Sequence, residues 1–442
     1  EIFEKEYKKD FDNNNSNYIG GGDDIMVHDI EKGFSTIYEK PDIAYEPDDY
    51  VSKQVFFNSK DGTKIPMFLT YKKSMKKNGF KPTVYEQAPE LTELGAGLTI
   101  SPNSTHGLEY LGLKESLSKH ADVPSDQAIF HYNTGEVLGR RMRGEETRNL
   151  YGAYYYQIHR ADLQKEMSNL LIKNDPSCLL LNHSFNDLKQ ENGKVEVLFS
   201  NNTKKSFDVV IAADGIRSSV RNKIFDEEKP QYTGNIAYRG LVQTNKLSKD
   251  NVRPPSGVAI APKKAFARYL IRKGNLVNFV AFVQRPGWNE EGWNIRVTHD
   301  ELMSEFGNWH PRISDVIKAA PKENLFKWAL YDRDPLNNWT KGNVTLLGDA
   351  AHPMLPFMGM GAAMGIEDGV IIGRAFAESE NIKDALKKYE NARKERANFV
   401  LLKSRTTRDR FQSDNPEKYD ESKVENEESL GLFNYKPHEV KI

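Results

Sequence analysis

Apolar residues follow two rhythms along the chain, and the change between them falls near Lys81. Before it, the rhythm is alternation. Ile25, Val27, Thr36 and Tyr38 sit in short runs either side of Lys32-Gly33, which predicts a hairpin over 23–39. Val55 and Phe57, then Ile65, Met67 and Leu69, alternate about Asp61-Gly62, a dipeptide favoured in tight hairpins because both central positions need positive φ. Asp10 to Asn17 is polar and Asn-rich and predicts loop or disorder. From Lys81 onward, short strands interleave with helical spacing. Thr83 to Tyr85 predicts a strand ending at Glu86. Asn103–Leu111 and Ala161–Ile172 predict helices, the second with Leu163, Met167, Leu170 and Leu171 on one face. Val195–Phe199 and Val209–Ala212 predict strands joined through Asn201-Asn202. Between Ile236 and Trp328 the runs IAYRGLV, FARYLIR and LVNFVAFV predict a sheet, with helices near Glu301 and Ile313. A strand at Val344–Leu347 then leads to helices over 362–377 and from Ile382 to about Leu402, and a charged, mostly loop tail begins near Thr407.

Composition narrows the partners more than the fold. At 442 residues the chain has room for two or three domains. Sixty-two basic residues against 63 acidic ones give a net charge of -1, so no global field draws in nucleic acid or an anionic membrane. The basic residues Lys387, Lys388, Arg393, Lys394 and Arg396 interleave with Glu390 and Glu395 and read as a solvated helix face. The single cysteine, Cys178, leaves no internal disulfide and suits a reducing compartment. No run of about 18 apolar residues appears, and the expected location is cytoplasmic. His106, His120 and His131 have no metal-ligand spacing, so no metal site is expected.

Three short strings carry the candidate chemistry. The first is Leu346-Leu347-Gly348-Asp349-Ala350-Ala351-His352-Pro353, running to Pro356 and then Gly359-Met360-Gly361. A strand ends in Gly-Asp, and a loop with no bulk at its glycines opens a helix, which brings N–H groups and one carboxylate to a polyol or phosphate. The second is Asp214-Gly215 in DGIRSSVR, with Ser218 and Arg221 behind it. There a strand end, a glycine turn and a basic-flanked helix start suit a pyrophosphate. The third is VYEQAPELTELGAGLTISPNS, in which Glu86 closes a strand where a dinucleotide fold places a ribose-binding acid, and Gly95-Ala96-Gly97 permits a close backbone approach.

Together these strings resemble the group A FAD-dependent aromatic hydroxylases, the family of salicylate, 3-hydroxybenzoate and p-hydroxybenzoate hydroxylases, from about residue 78 onward. The resemblance implies an α/β fold in which an FAD-binding Rossmann-like (GR2-type) domain carries a mixed β-sheet substrate domain. The divisions are 78–230 and 331–405 for the FAD domain, 231–330 for the substrate sheet and 406–442 for the tail. It also implies an NADH- or NADPH-driven monooxygenase that delivers oxygen to a phenolic carboxylate through a flavin hydroperoxide. Its partners are then a small aromatic substrate and O2, with no nucleic acid and no membrane, in a monomer or homodimer. By the same resemblance, Glu86, Gly95, Gly97, Arg160 (in QIHRADLQ), Asp214, Gly215, Gly348, Asp349, Pro356, Gly359 and Gly361 hold the cofactor. Pro356 and His352 lie by the ring-hydroxylation site, although His352 also reads as structure of the flavin loop. Tyr238 and Arg239 come from the substrate sheet, Arg239 suiting either a bidentate carboxylate contact or a structural ion pair.

The resemblance stops at the N-terminus. A strand, a Gly-x-Gly-x-x-Gly turn and a helix should hold the FAD pyrophosphate, and no such unit precedes residue 78. Ile19-Gly20-Gly21-Gly22 lacks an apolar strand before it and is followed by Asp23-Asp24, which would repel a diphosphate. Residues 23–77 resemble prolyl oligopeptidase instead, in HDIEKGFSTIYEKPDIAYEPDDY and VSKQVFFNSKDGTKIPMFLTYKK. No Gly-x-Ser-x-Gly nucleophile elbow accompanies them anywhere in the chain. Residues 1–77 are thus a hairpin-rich segment where a first βα unit is expected, as in a chimera. Three readings stay open: a flavin hydroxylase, a non-catalytic or FAD-deficient remnant, and a peptidase-derived module without peptidase activity.

Overall fold

The computed structural model describes residues 80–91, 96–225, 229–288 and 295–442, together with four strands between residues 25 and 72. It divides into two compact units, Glu1–Lys81 and Pro82–Ile442. In the first, β1 (Ile25–Asp29) pairs antiparallel with β2 (Phe34–Glu39), and β3 (Tyr50–Asn58) with β4 (Lys64–Lys72). Both expected hairpins have their strands, while their turns, the Asn-rich stretch and Gly20–Gly22 lie outside the described residues.

The second unit opens with β5 (Val84–Tyr85), β6 (Gly97–Ile100), α1 (Pro102–Tyr110), α2 (Lys114–His120), β7 (Asp126–His131) and β8 (Val137–Met142). It continues through α3 (Glu145–Tyr151), β9 (Tyr156–His159), α4 (Arg160–Asn174), β10 (Leu179–Leu180), β11 (Phe185–Glu191), β12 (Lys194–Phe199) and β13 (Lys204–Phe207). Next come β14 (Val210–Ala212), α5 (Ser219–Phe225), β15 (Gln231–Gln243), α6 (Lys249–Val252), β16 (Ser256–Ala261), β17 (Lys264–Ile271) and β18 (Leu276–Gln284). The last elements are β19 (Ile295–Arg296), α7 (His299–Phe306), α8 (Pro311–Ala319), β20 (Phe326–Asp332), β21 (Thr340–Lys341), β22 (Val344–Leu346), α9 (Gly361–Ala377) and α10 (Ile382–Phe411).

The largest sheet has eight strands in the order β19-β20-β15-β18-β17-β16-β7-β8, mixed because β16 and β7 run parallel. Period-two side chains divide its faces. On one face Ile236, Tyr238, Val242, Phe266 and Phe279 pack under Leu302, Phe306, Ile313, Val316 and Ile317 of α7 and α8. On the other, Ala237, Ala265, Ile129, Val258 and Phe282 meet Leu355, Phe357 and Phe411. Each fully buried Phe or Ile of these layers contributes about 1.5–3 kcal/mol.

The parallel strands of the nucleotide side do not form one sheet. Among the described residues β5 pairs with β10 alone, while β14 pairs with β22, which in turn pairs with β21. Beneath them lies the meander β11-β12-β13, whose Val195, Val197 and Phe199 share a core with Ala212, Val344, Leu346, Ile371 and Tyr389.

Helix α10 runs to Phe411, past the expected end near Leu402, because Val400, Ser404, Thr407 and Phe411 continue its buried stripe. The tail has no long helix, yet it is fastened down. Leu432 and Phe433 are buried, Arg141 pairs with Glu421 and Glu427, and Arg143 pairs with Glu428. Among the described residues, no helix is long and apolar enough to cross a membrane, and no acidic, His or Cys cluster suits a metal ion.

Candidate functional site

Strand β22 ends at Leu346, and Gly348-Asp349-Ala350 turns the chain back under α9. Asp349 is open to solvent although protein surrounds it, as befits a side chain lining a hollow. That enclosure raises its carboxyl pKa, while the charges of His352 and Arg160 pull it the other way. Arg160, at the start of α4, is held by its N–H to Ala96 O at 2.9 Å. Farther along the loop, Pro356 and Gly359 are exposed between the buried residues Leu355, Phe357, Met358 and Met360. Gly359 adopts φ +65°, where a Cβ would lie 2.7 Å from Thr99 Oγ1, so only glycine fits without displacement. Thr99 Oγ1 donates to Gly359 O at 3.2 Å, and Gly361 begins the 17-residue helix α9.

Gly97 ties this loop to the large sheet. Its N–H donates to Asn278 Oδ1 at 2.8 Å, and a Cβ there would come within 2.4 Å of the Tyr269 ring. Around that contact this face of the sheet is only partly covered. Tyr269 and Asn278 are cross-strand partners, and Val258, Ala267, Val280 and Arg239 follow in register across β16, β17, β18 and β15. These are interior strands, yet Arg239, Ala267, Tyr269, Val280 and Trp328 are only half-buried. The Arg239 guanidinium lies 5.5 Å from the ring centres of both Phe326 and Trp328, within cation–π range. Phe357, next to Pro356, packs on Phe282 of the same face with ring centres 4.5 Å apart.

Two expected catalytic residues are placed elsewhere. Tyr238 precedes Arg239 in β15 and therefore faces the opposite way. It is 0% exposed beneath α7, donates its hydroxyl to Glu301 Oε1 at 3.0 Å, and burial raises its pKa. His352 is sealed in, with Nε2 2.6 Å from Asp368 Oδ2 and its ring 5.1 Å from that of Trp339. Asp368 also accepts from Gly348 N at 2.9 Å and from Arg393 Nε at 2.7 Å. Burial pushes its carboxyl pKa up, but His352 and Arg393 outweigh this and hold it low. Glu367 beside it takes Arg393, Arg396 and, at 2.6 Å, Asn103 Nδ2.

Sequence reading missed this buried network under the loop and put Arg393 on a solvated face. Arg393 is 0% exposed. The spacing Leu386, Tyr389, Arg393, Ala397, Val400 gave the signal, since it sets the arginine on the apolar stripe of α10.

The second motif also turns inward. Asp214 accepts from Ser218 Oγ and from Val220 N, capping α5. Arg221, expected as a basic flank for pyrophosphate, is buried and donates to Ala350 O and Ala351 O, both at 3.2 Å. It bolts the two motif turns together and does not face a ligand. Gly215 takes φ +78° in the turn between strand and helix. Glu86 follows β5 directly and accepts from Ala88 N at 2.8 Å. Gly95 lies outside the described residues.

For FAD these residues divide into two groups. Asp349, Pro356 and Gly359 are exposed and Gly97 is half-buried, so these residues are accessible to a ribityl chain and a planar ring. At the pyrophosphate end the Arg221 guanidinium is committed to the carbonyls of Ala350 and Ala351.

The family described as FAD binding domain matches residues 72–404. The chain is 33% identical over 338 residues to the 3-amino-4-hydroxybenzoate 2-monooxygenase PtmB3 of Streptomyces platensis, covering 76% of this chain and 84% of that protein. It is 31% identical over 335 residues to the 6-hydroxynicotinate 3-monooxygenase of Pseudomonas fluorescens, covering 74% and 85%. The fold matches that of Klebsiella pneumoniae HpxO complexed with FAD and uric acid, with TM-score 0.72 and 22% identity over 82% of this chain and 92% of that one.

Proposed function

The chain belongs to the FAD-dependent aromatic monooxygenases, and from that membership we propose that it hydroxylates a phenolic ring bearing a carboxylate at the expense of NADH or NADPH. The reaction consumes one O2, one NAD(P)H and one proton, and yields hydroxylated ring, NAD(P)⁺ and water. FAD, when bound, supplies the redox chemistry that lets O2 react with the ring.

The observation that carries the reading is the hollow on the open sheet face. A polar end at Tyr269 and Asn278, an apolar floor at Val258, Ala267 and Val280, and a cationic end at Arg239 stand in one register. A flat ring suits the floor, and a carboxylate suits the planar guanidinium of Arg239, which lies 5.5 Å from the ring centres of Phe326 and Trp328. Pro356 and Gly359, exposed on the loop, are the residues assigned to cover the reacting centre and limit its water once cofactor and substrate are bound. Asp349, Arg160, Gly97, Gly348 and Gly361 are the residues assigned to the ribityl and ring end of the cofactor, Glu86 to the ribose of its nucleotide, and Asp214 and Gly215 to the turn beside it.

The test is steady-state NAD(P)H oxidation with FAD supplied and a panel of hydroxybenzoates and hydroxypyridine carboxylates, with ¹⁸O2 label followed into product. Incorporation of one ¹⁸O into a carboxylated ring supports the reading. Oxidation of neutral phenols only, or no incorporation into any aromatic, removes it. Arg239→Met should raise KM for the carboxylated substrate by roughly 10- to 100-fold, the loss of a charge-assisted pair, and leave KM for its decarboxylated analogue within about threefold.

A further inference from the structure

Three consecutive tyrosines, Tyr154-Tyr155-Tyr156, lead from α3 into β9, and an extended chain turns alternate side chains to opposite faces. Tyr154 and Tyr156 face the apolar cluster of Ile100, Leu108 and Leu117, with their ring centres 5.6 Å apart. Tyr155 turns the other way and is buried there among polar and charged groups.

Three sets of contacts meet at this residue. The Arg143 guanidinium lies 4.7 Å from the Tyr155 ring centre, within cation–π range. The same guanidinium stands 5.5 Å from the ring centre of Phe433 and bonds to Glu428 Oε1 at 2.6 Å, so the tail anchors it from the other side. The Tyr155 hydroxyl bonds to Thr99. Those two residues are diagonal across the β6-β9 pair, in which Ile100 opposes Tyr156 and Thr99 opposes Gln157, and an aromatic side chain spans that diagonal. Finally, burial and then the neighbouring Tyr155 phenol raise the pKa of Tyr269 on the large sheet.

One end of the line fixes the direction of its bonds. Gly359 O is a carbonyl and can only accept, so Thr99 directs its one O–H there, at 3.2 Å. Thr99 Oγ1 then accepts from the Tyr155 hydroxyl. A bond at that carbonyl orients the whole planar peptide between Gly359 and Met360, from which α9 starts at Gly361.

We propose that Tyr155, anchored by Arg143 and acting through Thr99, is a positioning residue of the flavin loop that sets the peptide plane between Gly359 and Met360. The proposal rests on the assignment of Pro356, Gly359 and Gly361 to the ring end of the cofactor. It concerns where that loop stands, not which ring is hydroxylated. A loop released from the line takes several positions, and turnover then uncouples: O2, NAD(P)H and a proton give H2O2 and NAD(P)⁺ without hydroxylated ring.

Three single changes test it in the full chain. Tyr155→Phe removes the hydroxyl and keeps the ring beside Arg143, Thr99→Val breaks the line in its middle, and Thr99→Ser keeps it. Hydrogen exchange over residues 356–361 is read first, without FAD. Tyr155→Phe and Thr99→Val should each speed it about fivefold, the loss of one hydrogen bond. The double change should be no faster than either alone, and Thr99→Ser should match the parent. With FAD added, the absorption bands of the bound flavin should shift in the first two variants and not in Thr99→Ser. H2O2 formed per NAD(P)H should rise at least about twofold while KM for the ring stays within about twofold, a split that a loss of substrate binding would not give. The inference is overturned if Tyr155→Phe leaves the loop exchange or the flavin bands unchanged, if Thr99→Ser behaves like Thr99→Val, or if the two single effects multiply in the double variant. A parent whose loop and flavin respond as expected but which hydroxylates no ring overturns the substrate reading and supports the line.

Discussion

Asp349 and Asp368 stand one helix apart and respond to pH in opposite senses. Enclosure raises the Asp349 pKa, so its stabilising contribution is present at low pH and is lost as pH rises through the folded value. Asp349→Asn should therefore melt at a higher temperature than the parent at pH 7 to 8, with the difference shrinking toward pH 4, as scanning calorimetry would measure. On the proposed assignment of Asp349 to the ribityl chain, the same change removes a charge-assisted acceptor and should weaken FAD by roughly 10- to 100-fold. Asp368, held low by His352 and Arg393 against the effect of burial, contributes above its unfolded pKa of about 3.9 and loses that contribution as pH falls through the folded value. Asp368→Ala strands His352 and Arg393 in the interior, and urea unfolding should report a loss of about 3–5 kcal/mol. Tyr238→Phe should cost about 1 kcal/mol for the lost bond to Glu301 and leave kcat within about twofold, whereas a catalytic tyrosine would lower it far more. The strings around Gly348 and Asp214 were legible because their neighbours in space are neighbours in sequence. Asp368, Glu367 and Arg393 were not, since their pairing crosses between two helices and depends on which turn of α10 faces inward.

Strands and helices were legible wherever a period ran for a full face, as in α4, β17 and β18. Their partners were not, because a sheet order of β19-β20-β15-β18-β17-β16-β7-β8 joins segments more than a hundred residues apart. Parity along β15 decides the site: with the register fixed, Arg239 enters the hollow and Tyr238 cannot. The antiparallel pair of β6 and β9 meets β17 where Gly97 abuts the Tyr269 ring, leaving no room for a Cβ. Gly97→Ala should destabilise by about 1–3 kcal/mol through overpacking, measured by chemical denaturation. Adding Tyr269→Ala should recover most of that loss, a coupling that two independent sites would not show.

The tail behaves as part of the molecule's frame. Arg141 and Arg143 are buried under Glu421, Glu427 and Glu428, and Phe433 is fully covered. Truncation after Gln412 removes Leu432 and Phe433, whose burial contributes about 1.5–3 kcal/mol each, and uncovers Met360, Met364 and Val400 beneath Leu432, so the shortened chain should melt earlier and bind an apolar dye. Burial raises the Glu421 pKa, but Arg141 more than reverses this, so the strap's stability holds above the usual carboxylate range and is lost as pH falls. Hydrogen exchange at Leu432 and Phe433 should therefore speed up below about pH 4. The charge pattern of the tail was visible in the sequence, but the two arginines that receive it lie nearly three hundred residues upstream. The great sheet has a consequence for how such a protein can change. From Ile236 onward its even-numbered β15 positions face the helices and its odd-numbered ones the opposite face, where Arg239 lies, so neighbouring letters of one strand answer to different selective pressures. New substrates can be tried on one face while the other keeps the chain folded, and diversification of such an enzyme should be written in every second residue.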